Sequence, residues 1–149
     1  MDTLITFLIL MALGYGVGTI AEKRHYKSII KREKEFINLP AVTLKSAHIT
    51  PDQIATARLV YGSAVISIDY FKKILASLRN IFGGRVKSYE SLVDRARREA
   101  TLRMKEMAED ADLIVNLRIE TASVGKQANK KGVGCLEAIA YGTAITKKK

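Results

Sequence analysis

Only three side chains in this sequence are of the kinds that transition metals prefer, His25, His48 and Cys135. No two of them stand at a ligand spacing, and one cysteine with two histidines does not complete a tetrahedral zinc site within one chain. A ring of subunits that repeats Cys135 about its axis is the remaining route to a thiolate site, although a lone cysteine is ordinarily a small hydrophobe. A second constellation is Gly83-Gly84-Arg85, followed by Lys87, Ser88 and Tyr89. Glycine N–H groups beside an arginine and a helix start suit an anion or other small ligand. The same residues serve equally as a turn that folds two helices back on each other, and the run is far shorter than a phosphate-binding P-loop. The third constellation is polar: Arg118, Glu120 and Glu137 are placed to meet across a hairpin, lining a pocket or subunit contact, holding a hard cation, or forming a solvated face. No nucleophile has a positioned base and no carboxylate pair stands apart, so a non-catalytic protein is expected and no cofactor is nominated.

Composition narrows the class. The chain has 149 residues, with 25 Lys plus Arg against 15 Asp plus Glu and a single cysteine. One compact domain with an appended segment fits that length, and an intrachain disulfide is excluded. The surplus positive charge is concentrated in residues 22–39, in the run GKQANKKG and in the terminal Lys147-Lys148-Lys149. No interleaved aromatic platform accompanies it, so anionic lipid is expected as a partner ahead of nucleic acid.

Leu4 to Ala21 contains no charged residue. As a helix its 18 residues reach roughly 27 Å, which crosses a bilayer core. Only Met1, Asp2 and Thr3 precede it and no small-x-small cleavage site follows, so an uncleaved anchor is expected rather than a signal peptide. Gly14 and Gly18 form a small-xxx-small pair suited to helix–helix packing in the membrane. Lys23, Arg24, Lys27, Lys31, Arg32 and Lys34 follow the span. The positive-inside rule then places the amino terminus outside and the rest in the cytoplasm, at a bacterial-type inner membrane.

The remaining elements follow from periodicity. Residues 22 to 39 read as a polar helical stalk with Tyr26, Ile29, Ile30, Ile37 and Leu39 as apolar contacts, and Pro40 marks a boundary. Residues 40 to 146 then form the domain and 147 to 149 a basic tail. Arg58 to Tyr70 reads as a strand with Val60, Ala64, Ile66 and Ile68 on one face, and Gly62 marks a bulge or a close backbone approach. Phe71 to Phe82 and about Ser88 to Asp110 read as amphipathic helices. In Leu113 to Val124 the alternation sets Leu113, Val115, Leu117 and Ile119 on one face, opposite Asn116, Arg118 and Glu120. Gly132 to Ile145 alternates likewise, with Leu136, Ala138, Ala140 and Ala144 opposite Cys135, Glu137, Ile139 and Tyr141. The expected fold is α+β, a small antiparallel sheet with two helices on one face. Such a sheet exposes its other face and its edges, so self-association is expected.

The run FKKILASLRNIFGGRVKSYESLVDRAR, then EMAEDADLIVNLRIET, then AYGTAI, resembles the YbjQ-like family over roughly residues 55 to 146. The most specific part is the junction of Gly83, Gly84, Arg85, Lys87, Ser88, Tyr89 and Glu90. That family carries a heavy-metal-binding label, and the resemblance implies a subunit similar in topology to the dodecin-like group. It also implies assembly into a ring, commonly a homopentamer, and no established reaction. The expected function is therefore a membrane-anchored, non-catalytic homo-oligomer that takes a small ligand or cation at subunit interfaces. The alternatives are a heavy-metal-binding protein, or a binder of anionic lipid or nucleic acid through its basic stalk and tail.

Overall fold

A computed structural model describes residues 2–45, 49–67, 87–124 and 135–148. Its elements are helix α1 (Asp2–Glu35), a single 3₁₀ turn, strand β1 (Ile54–Ser67), helix α2 (Lys87–Glu106), strand β2 (Leu113–Val124) and strand β3 (Cys135–Lys147). The fold is α+β, with three antiparallel strands in the order β1-β3-β2. The expected helix over residues 71 to 82 and the GKQANKKG loop lie outside the described residues.

The inner face of the sheet carries the core. Val60, Ala64, Leu136, Ala138, Ala140 and Ala144 are buried against Leu92, Ala96, Ala100 and Met104 of α2 and Ala108 just beyond it. Small residues on both elements let them approach closely. Gly62 marks the tightest point: a Cβ there would stand 2.4 Å from both the Ala100 carbonyl oxygen and the Met104 nitrogen. Of the two roles expected of this glycine, close approach is the one it fills, since β1 pairs regularly with β3 on both sides of it.

The alternation expected for β2 breaks partway along the strand. Asn116 has φ 55°, and the register with β3 shifts between Val115 and Arg118. One extra residue in an alternating strand inverts its faces. Leu113 and Val115 therefore join Ile145 in a second cluster, sealed by Val42, Ile49 and Ile54, whereas Leu117 and Ile119 pack on the main core. The four do not share a face. Gly142 receives the bulge: a Cβ there would lie 2.9 Å from Ile114 Cγ2 and 3.1 Å from the Val115 oxygen.

The edges differ from expectation as well. Residues 40–44 run along the free edge of β2: Ala41 bridges Ile114 in parallel, Ile114 N–H donates to the Pro40 oxygen, and Leu117 N–H donates to the Val42 oxygen. One edge is thus covered by the chain's own segment.

Helix α1 is unbroken through residue 35. Its first half makes no packed layer, with Leu4, Phe7, Leu10, Leu13 and Val17 all exposed. Its second half does not stand off from the domain as a stalk would. Ile29 is fully buried, Phe36 and Leu39 reach the main core, and the helix lies against α2.

Candidate functional site

Among the described residues, two arrangements of side chains stand out once the core is accounted for. One is a clamp between α1 and α2, and the other is the outer face of the sheet.

The clamp centres on Glu99, 4% exposed and the buried charged residue of the described core. Its carboxylate accepts hydrogen bonds from both guanidinium nitrogens of Arg32, one at 3.3 Å and the other shorter, and from Arg103 Nε at 2.9 Å. His25 Nε2 lies 3.3 Å away. Burial works to raise the Glu99 pKa, but the hydrogen bonds from Arg32 and Arg103 hold it on balance below the usual carboxylate range. Arg32 also bonds Glu106 at 3.0 Å. Beside this pair, Arg98 grips Glu33 with two bonds of 2.7 and 2.6 Å, which lower the Glu33 pKa, and lies over the Tyr26 ring. The Tyr26 hydroxyl donates to the Ser91 oxygen at 3.0 Å, and burial raises its pKa. At the foot of α1, Lys105 donates to the Phe36 oxygen, which also accepts the Leu39 N–H. Burial lowers the Lys105 pKa, partly offset by Glu33.

These contacts fall on residues 22, 25, 26, 29, 32, 33 and 36, one face of a helix by their three- and four-residue spacing. Lys23, Arg24, Lys27, Lys31 and Lys34 occupy the exposed side. Sequence reasoning did not single out Glu99. The signal that could have found it was the matching ladder of opposite charges in the two helices.

The outer face of the sheet is built from cross-strand rows. Tyr61, Tyr141 and Arg118 form one; Ser63, Ile139 and Glu120 the next; Val65, Glu137 and Ala122 the third. Arg118, Glu120 and Glu137 thus do share a face, as their spacing suggested. Glu120 and Glu137 are diagonal neighbours, and Arg118 lies two rows from Glu137. No ion pair joins the three among the described residues. Their companions are apolar: Leu59 is 68% exposed, Val65 60%, Tyr61 57% and Ile139 37%. Cys135 is half-buried in the row that ends at Ser67 and Val124.

Other expected site residues are not brought together. Gly83, Gly84, Arg85 and His48 lie outside the described residues. Lys87, Ser88 and Tyr89 occupy the first turn of α2, with their side chains outside the description. Gly14 and Gly18 lie in the unpacked half of α1. Among the described residues no three His, Cys, Asp or Glu side chains gather. His25 Nε2 faces Glu99 rather than another imidazole or a thiolate among the described residues.

A three-stranded antiparallel sheet with one covered face and one covered only at the Leu113 end of β2, carrying a helix clamped alongside, defines a small α+β domain. Residues 42–148 match the YbjQ_1 family, described as "Putative heavy-metal-binding", and the chain belongs to that family. A UPF0145 protein of Clostridium novyi is 33% identical over 106 residues, covering 70% of this chain and 96% of that protein. Another, from Natronomonas pharaonis, is 40% identical over 100 residues, covering 66% and 86%. A solved structure of a DUF74-family protein of unknown function from Pediococcus pentosaceus is 18% identical, covering 74% of this chain and 98% of that one, with a TM-score of 0.48.

Proposed function

We propose that this chain is a non-catalytic, membrane-anchored subunit that associates with further copies of itself through the outer face of its sheet. The observation that carries the reading is the exposure of Leu59, Tyr61, Val65 and Ile139 on one face of the sheet. Burying a side chain of that size contributes about 1.5–3 kcal/mol, so four of them reward pairing with another apolar surface. A second copy supplies such a surface by symmetry, and Arg118, Glu120 and Glu137 among the apolar residues bring charges of both signs to it. The apolar half of α1 supports the anchor: it is long and apolar enough to span a bilayer, and none of its apolar window is buried. The lysines and arginines that follow support an orientation with the domain on the cytoplasmic side of a bacterial-type inner membrane, by the positive-inside rule.

The family resemblance supplies five as the number of copies and a ring as their arrangement. A small ligand or cation taken at the subunit interface would meet Glu120, Glu137 and Cys135 repeated around the axis. The heavy-metal reading of the family description rests on that same repetition.

The test is a pair of substitutions on the outer face. Tyr61→Asp and Val65→Asp are each expected to convert the detergent-solubilised oligomer to monomer, read by light scattering, while the far-ultraviolet circular dichroism is unchanged. An oligomer of the wild-type size in both variants refutes the assignment of this face.

A further inference from the structure

We infer that the domain is held in one fixed pose against the bilayer, with the end that carries the start of α2 seated in the layer of anionic headgroups. This rests on the anchoring reading above and goes beyond it, because a flexible stalk would leave the domain free to turn. Three observations carry it. First, α1 runs as one helix from the apolar half into the clamped half, without a glycine, proline or break between Ala21 and Glu35. Second, the clamp is not a single contact but extends along the helix, from Glu22 opposite Arg95 to Phe36 opposite Lys105, with a buried carboxylate in its middle.

Third, the two helices run in the same sense, so their levels can be compared. Tyr26 meets Ser91, Arg32 meets Glu99 and Glu106, and Phe36 meets Lys105. The apolar run ends five residues before Tyr26, roughly 7.5 Å along α1. Helix α2 begins four residues before Ser91, roughly 6 Å along its own axis. Measured from Tyr26 and Ser91 the start of α2 reaches the level at which the apolar run stops, and the Glu22–Arg95 pair sets it at least as far. The sheet follows the same polarity: Arg103 bonds the Ser63 oxygen whereas Arg58 pairs with Asp110, so the Ser67 end of β1 lies towards the start of α2. Lys23, Arg24 and Lys27, exposed on the side of α1 that faces away from α2, sit at that level and supply the charge that lipid phosphates recognise.

The experiment uses the full chain in the Cys135→Ser background with one fluorescent label per molecule, at Glu90→Cys or at Glu109→Cys. These positions are exposed; Glu90 lies in the first turn of α2 and Glu109 three residues beyond its end, so roughly 24 Å of helix separates them. Each protein is reconstituted in vesicles of phosphatidylcholine and phosphatidylglycerol containing a lipid with a nitroxide on its headgroup. The fixed pose predicts that the label at position 90 is quenched several-fold more strongly than the label at position 109. Equal quenching in protein that floats with the vesicles overturns the pose while leaving the anchor standing. Protein that does not float with the vesicles overturns the anchoring reading, and the pose with it.

Discussion

Replacing Glu99 by alanine isolates the clamp between α1 and α2. The carboxylate is almost fully buried and serves Arg32, Arg103 and His25 together. Removing one partner of a buried ion pair costs about 3–5 kcal/mol, chiefly through the charge left without compensation. That range is discounted here for two reasons. Arg103 is half exposed and keeps its bond to the Ser63 oxygen, so its loss is that of a surface pair. Arg32 keeps Glu106 at 3.0 Å. A cost of about 2–3 kcal/mol remains, which lowers the melting temperature of a domain this size by roughly 10 °C. The assay is thermal unfolding of the full chain in one detergent, followed by circular dichroism, with Glu106→Ala as the reference. Glu106 shares Arg32 but is 38% exposed, so its removal is expected to cost less than about 1 kcal/mol. Equal destabilisation by the two variants would refute the reasoning, since burial is what distinguishes them.

Three further outcomes follow from the geometry. Gly62→Val is expected to destabilise by about 3 kcal/mol in urea unfolding, because the new Cβ at 2.4 Å from the α2 backbone forces helix and strand apart. Asn116→Gly is expected to leave stability within about 0.5 kcal/mol, and Asn116→Val to cost about 1–2 kcal/mol, because φ 55° suits glycine and resists a branched side chain. Both carboxylates of the clamp, Glu33 and Glu99, have lowered folded pKa values. Their contribution is therefore complete above the unfolded-chain value of about 4.3 and is lost as pH falls through the lower folded values. Wild-type stability should drop on that acid limb, and the Glu33→Gln, Glu99→Gln double variant should show a shallower drop.

Much of the sheet was legible because its signal is local. Leu136, Ala138, Ala140 and Ala144 alternate and all face α2, and Leu113–Val124 is a strand over the expected range. The faces of β2 were misread because the alternation looks continuous from Leu113 to Ile119, while a single backbone torsion at Asn116 inverts it. A tolerant asparagine in a run of branched residues was the available sign. The lower half of α1 was harder still. Its contact face mixes Glu22, His25, Arg32 and Glu33 with Tyr26 and Ile29, so an apolar stripe is hardly visible, and its burial depends on a partner helix 65 to 74 residues away. The grouping of Arg118, Glu120 and Glu137 on one face was readable from spacing. That they share it with Leu59, Tyr61 and Val65 required the register of β1 on β3.

The central claim is self-association through the sheet of a membrane-held chain. Native mass spectrometry of the full chain, purified in detergent without chelator and released from the micelle in the gas phase, counts the copies directly. A single closed oligomer, of five copies if the family resemblance holds, is the predicted result. A monomer at the concentrations where the chain is folded would contradict it.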